Sequence, residues 1–257
     1  MDAVHTPTRR RTTRRKILLA LAAVLVVGAG YGAFTLARMA GYLRPGAAVA
    51  GLPLVEVPAR RGATGDVMVV LLSADGGWAH FDQALSARLS AEGYPVVGWN
   101  SLRYYMTPRT AESAADDLAA VIRTYSRKWE RGRVLLVGYS FGADVLPLVT
   151  KRLDPADRAD VVGLVLLGFW DDAQFKFRPR ELGGRVAHYP ALPSVRRIRD
   201  VPILCIGGEH DTRSVCAEIG TPNTTARTVP GGHGLGAQVD TVFTLMQPLL
   251  RSLDAGG

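Results

Sequence analysis

Cysteine is nearly missing from this chain: 257 residues contain two, Cys205 and Cys216. A disulfide-dense scaffold is thereby excluded. The pair has two states open to it: a disulfide closing a short loop, or two buried thiols. No histidine or further cysteine sits at ligand spacing, so the pattern asks for no metal, and nothing asks for a cofactor. Charge is sparse as well, at 21% of residues, and its formal net of +8 is unevenly placed. Residues 1–16 carry a net +5, leaving +3 for everything that follows. The basic balance is therefore a property of a tail. With no zinc-finger or RNA-recognition pattern, it gives little support for a nucleic-acid partner. Internal repeats are absent too, which sets solenoids aside. What remains is a chain 47% hydrophobic, long enough for one large domain with a substantial core.

The tail at 1–16 runs into residues 17–37, which hold no charge and are rich in Leu, Ala and Val. As a helix this segment measures about 31 Å, close to the hydrocarbon thickness of a bilayer. Basic residues on its N-terminal side predict a cytoplasmic tail, with the following domain facing the periplasm from the inner membrane. A retained signal anchor is the favoured reading and a cleaved signal peptide, cut near Ala37, is its competitor. Residues 38–53 read as a linker and 54–254 as one folded domain.

Within that domain, Arg133 to Pro147 reads RVLLVGYSFGADVLP. A short β-branched apolar run, then Gly138-Tyr139-Ser140-Phe141-Gly142, then an apolar helical pattern, make a G-x-S-x-G turn between strand and helix. In such an elbow the serine hydroxyl stands above the sheet, and glycines two positions either side leave room for neighbouring backbone. Further strands are expected at 54–58 (an edge), 66–73, 95–99, 161–169, 201–207 and 227–229. Helices are expected at 79–92, 110–127, behind the elbow, and at 239–253. Asn100 to Pro108 reads as a loop carrying Arg103, Tyr104 and Tyr105, and 170–198 as a small cap insertion. Strands alternating with helices predict an α/β-hydrolase fold, with a mostly parallel sheet covered on both faces.

A serine hydroxyl needs a base, and in this fold the partners follow in the order Ser, Asp or Glu, His. His233, in the turn Gly231-Gly232-His233-Gly234, stands where the base belongs. Asp211 follows the strand at 201–207 and is the first candidate for the acid. Glu209 beside it, and Asp171 and Asp172 after the preceding strand, are alternatives. The oxyanion calls for two aimed N–H donors. Phe141, directly after Ser140, supplies one candidate, and the turn Asp75-Gly76-Gly77 supplies the other. Trp78 and Tyr139 flank these segments and are candidates for substrate contact.

Five blocks together, LLSADGGW at 71–78, VVGWNSLRYYMTPRT at 96–110, LLVGYSFGADVLP at 135–147, CIGGEHDTRSVC at 205–216 and PGGHGL at 230–235, resemble the bacterial virulence protein family VirJ and its relative AcvB. The family's first block usually reads S-G-D-G-G-W, where this chain has Ala74. The resemblance implies an exported α/β-hydrolase with Ser140, Asp211 and His233 as its triad. It also implies hydrolysis of lysyl-phosphatidylglycerol, an aminoacylated phospholipid. For other members it implies an accessory role with secreted proteins as partners. Carboxylates near the pocket would suit a lysyl ester, and Asp75, Asp82, Asp172 and Glu209 are candidates that also read as surface charges.

Overall fold

In a computed structural model, which describes residues 49–60, 65–177 and 187–256, the unbroken apolar runs become the middle of a sheet buried on both faces. The residues described lie in one unit, Pro45–Gly257. The tail at 1–16, the apolar segment at 17–37 and most of the linker at 38–53 fall outside them, as does 178–186 of the expected cap. Among the described residues no helix is long and apolar enough to cross a membrane.

Among the described residues, seven strands are laid down in chain order: β1 (Leu54–Val57), β2 (Val67–Leu72), β3 (Val96–Trp99), β4 (Arg133–Tyr139), β5 (Val161–Leu167), β6 (Ile203–Gly208) and β7 (Thr224–Val229). Their order in the sheet is β1-β3-β2-β4-β5-β6-β7. Only β1 runs antiparallel to its neighbour; the others pair in parallel. Side chains alternate across the sheet with the period of two that a pleat imposes. Met68, Val70 and Leu72 of β2, with Val134 and Leu136 of β4, enter one apolar cluster. Val67, Val69 and Leu71, with Leu135 and Val137, enter the other. A strand apolar at every position is therefore the sequence mark of two buried faces.

Among the described residues, seven α-helices connect or follow the strands: α1 (His80–Ala91), α2 (Ser101–Tyr105), α3 (Ala111–Trp129), α4 (Phe141–Thr150), α5 (Pro155–Ala159), α6 (Leu192–Val195) and α7 (Val239–Ala255). In α3, Ala114, Ala115, Leu118, Val121, Ile122 and Tyr125 form the buried stripe. Its start is fixed by Thr110, whose hydroxyl accepts from the Ser113 N–H at 3.0 Å. From Gly142 to Thr150 every residue of α4 is buried, as an apolar helix without a polar face must be.

Three expectations change. Asn100 to Pro108 is not simply a loop, because Asn100 Oδ1 caps the one-turn helix α2 by accepting from the Arg103 N–H at 3.1 Å. Five residues are too few to carry a helical period, so the sequence pattern missed it. Tyr104 and Tyr105 on that turn are buried. The last strand, expected at 227–229, begins at Thr224; its exposed, polar residues lack the apolar signal of the central strands. Asp82 is not a surface charge but 1% exposed. It accepts from the Ala79 N–H at 3.0 Å at the start of α1, and burial raises its pKa to about 6 despite that bond.

Cys205 and Cys216 are bonded, joining β6 to the loop that follows it. Closing so short a loop contributes about 2–3 kcal/mol through the unfolded chain. Melting with and without dithiothreitol is expected to differ by about 5–10 °C in a domain of this size. A thermal unfolding curve indifferent to reductant would contradict that contribution.

Candidate functional site

Parallel strands bring their C-terminal ends to one edge of the sheet, and the candidate residues lie just beyond four of those ends. Ser140 follows β4, in the turn before α4. Its φ of 51° and ψ of −114° place it in a conformation that ordinary side chains avoid. The turn survives because two glycines admit it. A Cβ on Gly138 would stand 2.5 Å from the Gly142 carbonyl oxygen, and one on Gly142 would stand 2.3 Å from the Leu72 oxygen of β2. Backbone bonds hold it as well. Ser140 N–H donates to Leu167 O at 2.7 Å, and Asp144 N–H donates to Ser140 O at 3.0 Å.

His233 lies in the turn after β7, Asp211 in the turn after β6, and the two turns are bonded together by His210 N–H donating to Gly231 O at 2.9 Å. The Ser140 hydroxyl is 2.7 Å from His233 Nε2. On the far side of the ring, Nδ1 is 3.0 Å from Asp211 Oδ2. An ionised carboxylate can only accept, so Nδ1 carries the proton and Nε2 is left as the acceptor for the hydroxyl. Gly168, at φ 65°, makes room for the ring: a Cβ there would lie 3.1 Å from His233 Cε1.

The Asp211 side chain is 3% exposed and that of His233 26%. Burial works to raise the Asp211 carboxyl. Hydrogen bonds from His233, from the Trp170 indole and from the Arg213 N–H outweigh it and hold the pKa below the usual carboxylate value. Trp170 was not anticipated. Its indole N–H lies 2.9 and 2.8 Å from the two Asp211 oxygens, and its ring centroid is 3.6 Å from that of His233. The signal that could have found it is positional: Trp170 stands just past the end of β5, as Asp211 does past β6.

The alternative acids are engaged elsewhere. Asp171 accepts from the Leu192 N–H at 2.5 Å. Asp172 is bonded to His188 and lies 3.4 Å from the Arg213 guanidinium. Glu209 is exposed, and nothing joins it to the imidazole.

Phe141 is the first residue of α4, so its N–H has no intrahelical carbonyl to meet. Asp75 and Gly76 are exposed in the turn after β2, and Gly77 N–H donates to Ala74 O at 3.0 Å. That donor is spent within the turn. The segment is anchored through Ser73, whose Oγ accepts from the Ser101 N–H at 3.0 Å. Of the two expected substrate contacts, Trp78 lays its ring over Gly98, where any Cβ would come within 2.2 Å of it. Tyr139 packs on Phe81 at 4.3 Å. Both are packed against the second apolar cluster, a structural role that their sequence positions did not reveal. A further set of aromatics begins beside Ser140: Phe141 to Tyr105 at 5.0 Å, Tyr105 to Phe175 at 6.1 Å and Phe175 to Tyr189 at 5.7 Å, with Tyr105 and Phe175 buried. Tyr189 is 45% exposed, so this row reaches from beside Ser140 to solvent.

A family model described as bacterial virulence protein (VirJ) matches residues 66–255. No curated protein matches the sequence. Among solved structures, the chain is similar to Est1E from Butyrivibrio proteoclasticus at 15% identity and a TM-score of 0.58, over 77% of this chain and 93% of that one. It is similar to a proline iminopeptidase from Mycobacterium smegmatis at 11% identity and a TM-score of 0.58, over 79% and 95%. MenH from S. aureus aligns at 14% identity and a TM-score of 0.54, over 78% and 98%. At these identities the likeness establishes the fold, that of an α/β-hydrolase.

Asp144, in the first turn of α4, is 5% exposed and accepts from the Trp170 backbone N–H at 2.8 Å. Burial, only partly offset by that bond, pushes its pKa from 3.8 to about 7. A folded-state value above the unfolded one gives stability that is fully present below the unfolded pKa and is lost as pH rises through the folded one. Asp144→Asn keeps the acceptor and removes the charge. It is expected to raise the melting temperature near pH 8 and to change little near pH 4, the gap amounting to about 2–4 kcal/mol. A gap of the same size at both pH values would contradict this account.

Proposed function

The chain belongs to the VirJ family of bacterial virulence proteins, and on that premise we propose that it is a serine esterase acting on an aminoacyl ester of a phospholipid. The observation that carries the reading is the 2.7 Å contact between the Ser140 hydroxyl and His233 Nε2, with Asp211 at 3.0 Å behind the ring. A hydroxyl with a pKa far above neutrality attacks only if a base removes its proton as the bond forms. His233 is held in the tautomer that can do so, and Asp211, kept ionised, stabilises the imidazolium that results.

In this mechanism Ser140 Oγ adds to the ester carbonyl while its proton passes to His233 Nε2. The oxyanion takes hydrogen bonds from the Phe141 N–H and from backbone N–H groups of the Asp75-Gly76 turn, each worth about 3 kcal/mol of barrier. Imidazolium then returns the proton to the leaving lipid alcohol, and the C–O bond breaks to give the acyl-enzyme. Water, deprotonated by the same imidazole, attacks that intermediate, releasing the amino acid and restoring Ser140. Every proton taken up is given back, so no cofactor is needed.

What supports the narrower substrate is the resemblance to AcvB, the relative of this family whose motifs the chain shares. Anchored by residues 17–37 in the inner membrane with the domain in the periplasm, the site would meet lipid esters at high local concentration. An accessory role toward secreted proteins is the competing reading, and a protein that only docked partners would have no use for a paired hydroxyl and imidazole.

A fluorophosphonate probe is expected to label the protein and to leave Ser140→Ala unlabelled, with ester turnover in that variant lower by roughly five to six orders of magnitude. Aminoacylated phospholipid should accumulate in cells lacking the protein and in cells carrying Ser140→Ala. Lipid levels unaltered in both, with short nitrophenyl esters still cleaved, would remove the substrate and leave a general carboxylesterase. Absence of labelling would remove the esterase.

A further inference from the structure

We infer that Trp170 is a positioning residue that clamps the Asp211–His233 pair from both sides, an inference that rests on the esterase reading above. Its indole N–H reaches both carboxylate oxygens of Asp211, at 2.9 and 2.8 Å. A shared donor of this kind resists rotation of the carboxylate about its own axis, the motion that would turn Oδ2 away from the imidazole. The same ring lies against His233, with centroids 3.6 Å apart and planes 32° from parallel, which limits tipping of the base away from Ser140. A tryptophan serving only as packing would have its N–H free for any acceptor. Here both the N–H and the face are engaged by members of one catalytic pair.

The clamp is itself held by the nucleophile's helix. Trp170 N–H donates to Asp144 Oδ1 at 2.8 Å, and Asp144 N–H donates to Ser140 O at 3.0 Å. Helix α4 thus carries the serine and fixes the residue that aligns its base. Gly168 and Asp171, both with positive φ, bracket Trp170, so the chain turns sharply on each side of it to present the ring. The Arg213 guanidinium lies 4.0 Å from that ring and reaches Asp172 at 3.4 Å, which in turn is bonded to His188.

The charged and titratable groups facing the imidazole are Ser140 and Asp211, with Arg213, Asp144, Asp171, Asp172 and His188 grouped around Trp170. Among them the indole is the neutral donor that draws on the Asp211 anion. With it removed, the carboxylate depends more heavily on the imidazolium, holds that proton more tightly, and the acidic limb of activity moves to higher pH.

Trp170→Phe preserves an aromatic face and deletes only the N–H. Losing a hydrogen bond to a charged group is expected to lower kcat by about ten- to a hundredfold, with KM little changed and the acidic limb displaced upward. Fluorophosphonate labelling of Ser140 across pH, which reports the same activation without a known substrate, should slow in parallel. Asp144→Ala, which releases the Trp170 backbone, should slow labelling too, and Asp144→Asn, which keeps the acceptor, should slow it less. A separate arm needs no activity. Indole emission is quenched by an imidazolium in contact with it, so wild-type fluorescence should fall on acidification in a step that His233→Gln and Trp170→Phe both abolish. Folding of each variant is checked by circular dichroism. A labelled wild type matched by Trp170→Phe in rate and pH limb sinks the clamp alone, as does a fluorescence profile identical in wild type and His233→Gln. A wild type that takes no label at any pH sinks the esterase reading and the clamp together.

Discussion

A hydroxyl and an imidazole 2.7 Å apart come from positions 93 residues apart in the chain, and the sheet beneath them brings the two turns together. Neither group sits on a regular element. Ser140 is in a strained turn, His233 in a glycine-rich one, and loops of that kind hold position only when rigid neighbours over-determine them. The parallel sheet supplies the neighbours. Strands β4 to β7 end at one edge, where Ser140 bonds back to Leu167 of β5 and the turns after β6 and β7 are joined by His210 and Gly231. The strain at Ser140 is offset by the packing of β2, β4 and α4, whose backbones touch across Gly138 and Gly142.

Much of this was legible in the sequence because it rests on strong local signals. The central strands announce themselves as unbroken apolar runs, and the elbow by two glycines whose absence of side chain is a geometric requirement. Asp211 and His233 could be found from chain order and from their place after strands. What stayed hidden depends on tertiary contact. Tyr104 and Tyr105 look like loop aromatics until a one-turn helix capped by Asn100 packs them inward. Asp82 looks like a surface charge until its neighbours bury it. Trp78 and Tyr139 flank the right motifs but pack against the second apolar cluster.

Two buried carboxylates set the character of the site's surroundings. Asp82 and Asp144 both sit in the first turn of a helix, where an anion is favoured by the free N–H groups, yet both are raised by burial. Each therefore takes up its proton at a higher pH than an exposed carboxylate does. Asp144 illustrates why such a group is tolerated: it satisfies a backbone donor that would otherwise be buried and unpaired, at a cost in solvation that an apolar residue would avoid.

The bond between Cys205 and Cys216 encloses the segment that carries Asp211, so the carboxylate sits inside a covalent ring with β6 as one side. Opening of that segment cannot proceed by fraying from a free end, because there is none. Thiols stay reduced in a reducing compartment, and with this pair reduced Asp211 would ride on an untied loop. Topology thereby makes the setting of Asp211 sensitive to redox: the last constraint on its loop comes from the oxidation state of two thiols rather than from the fold itself.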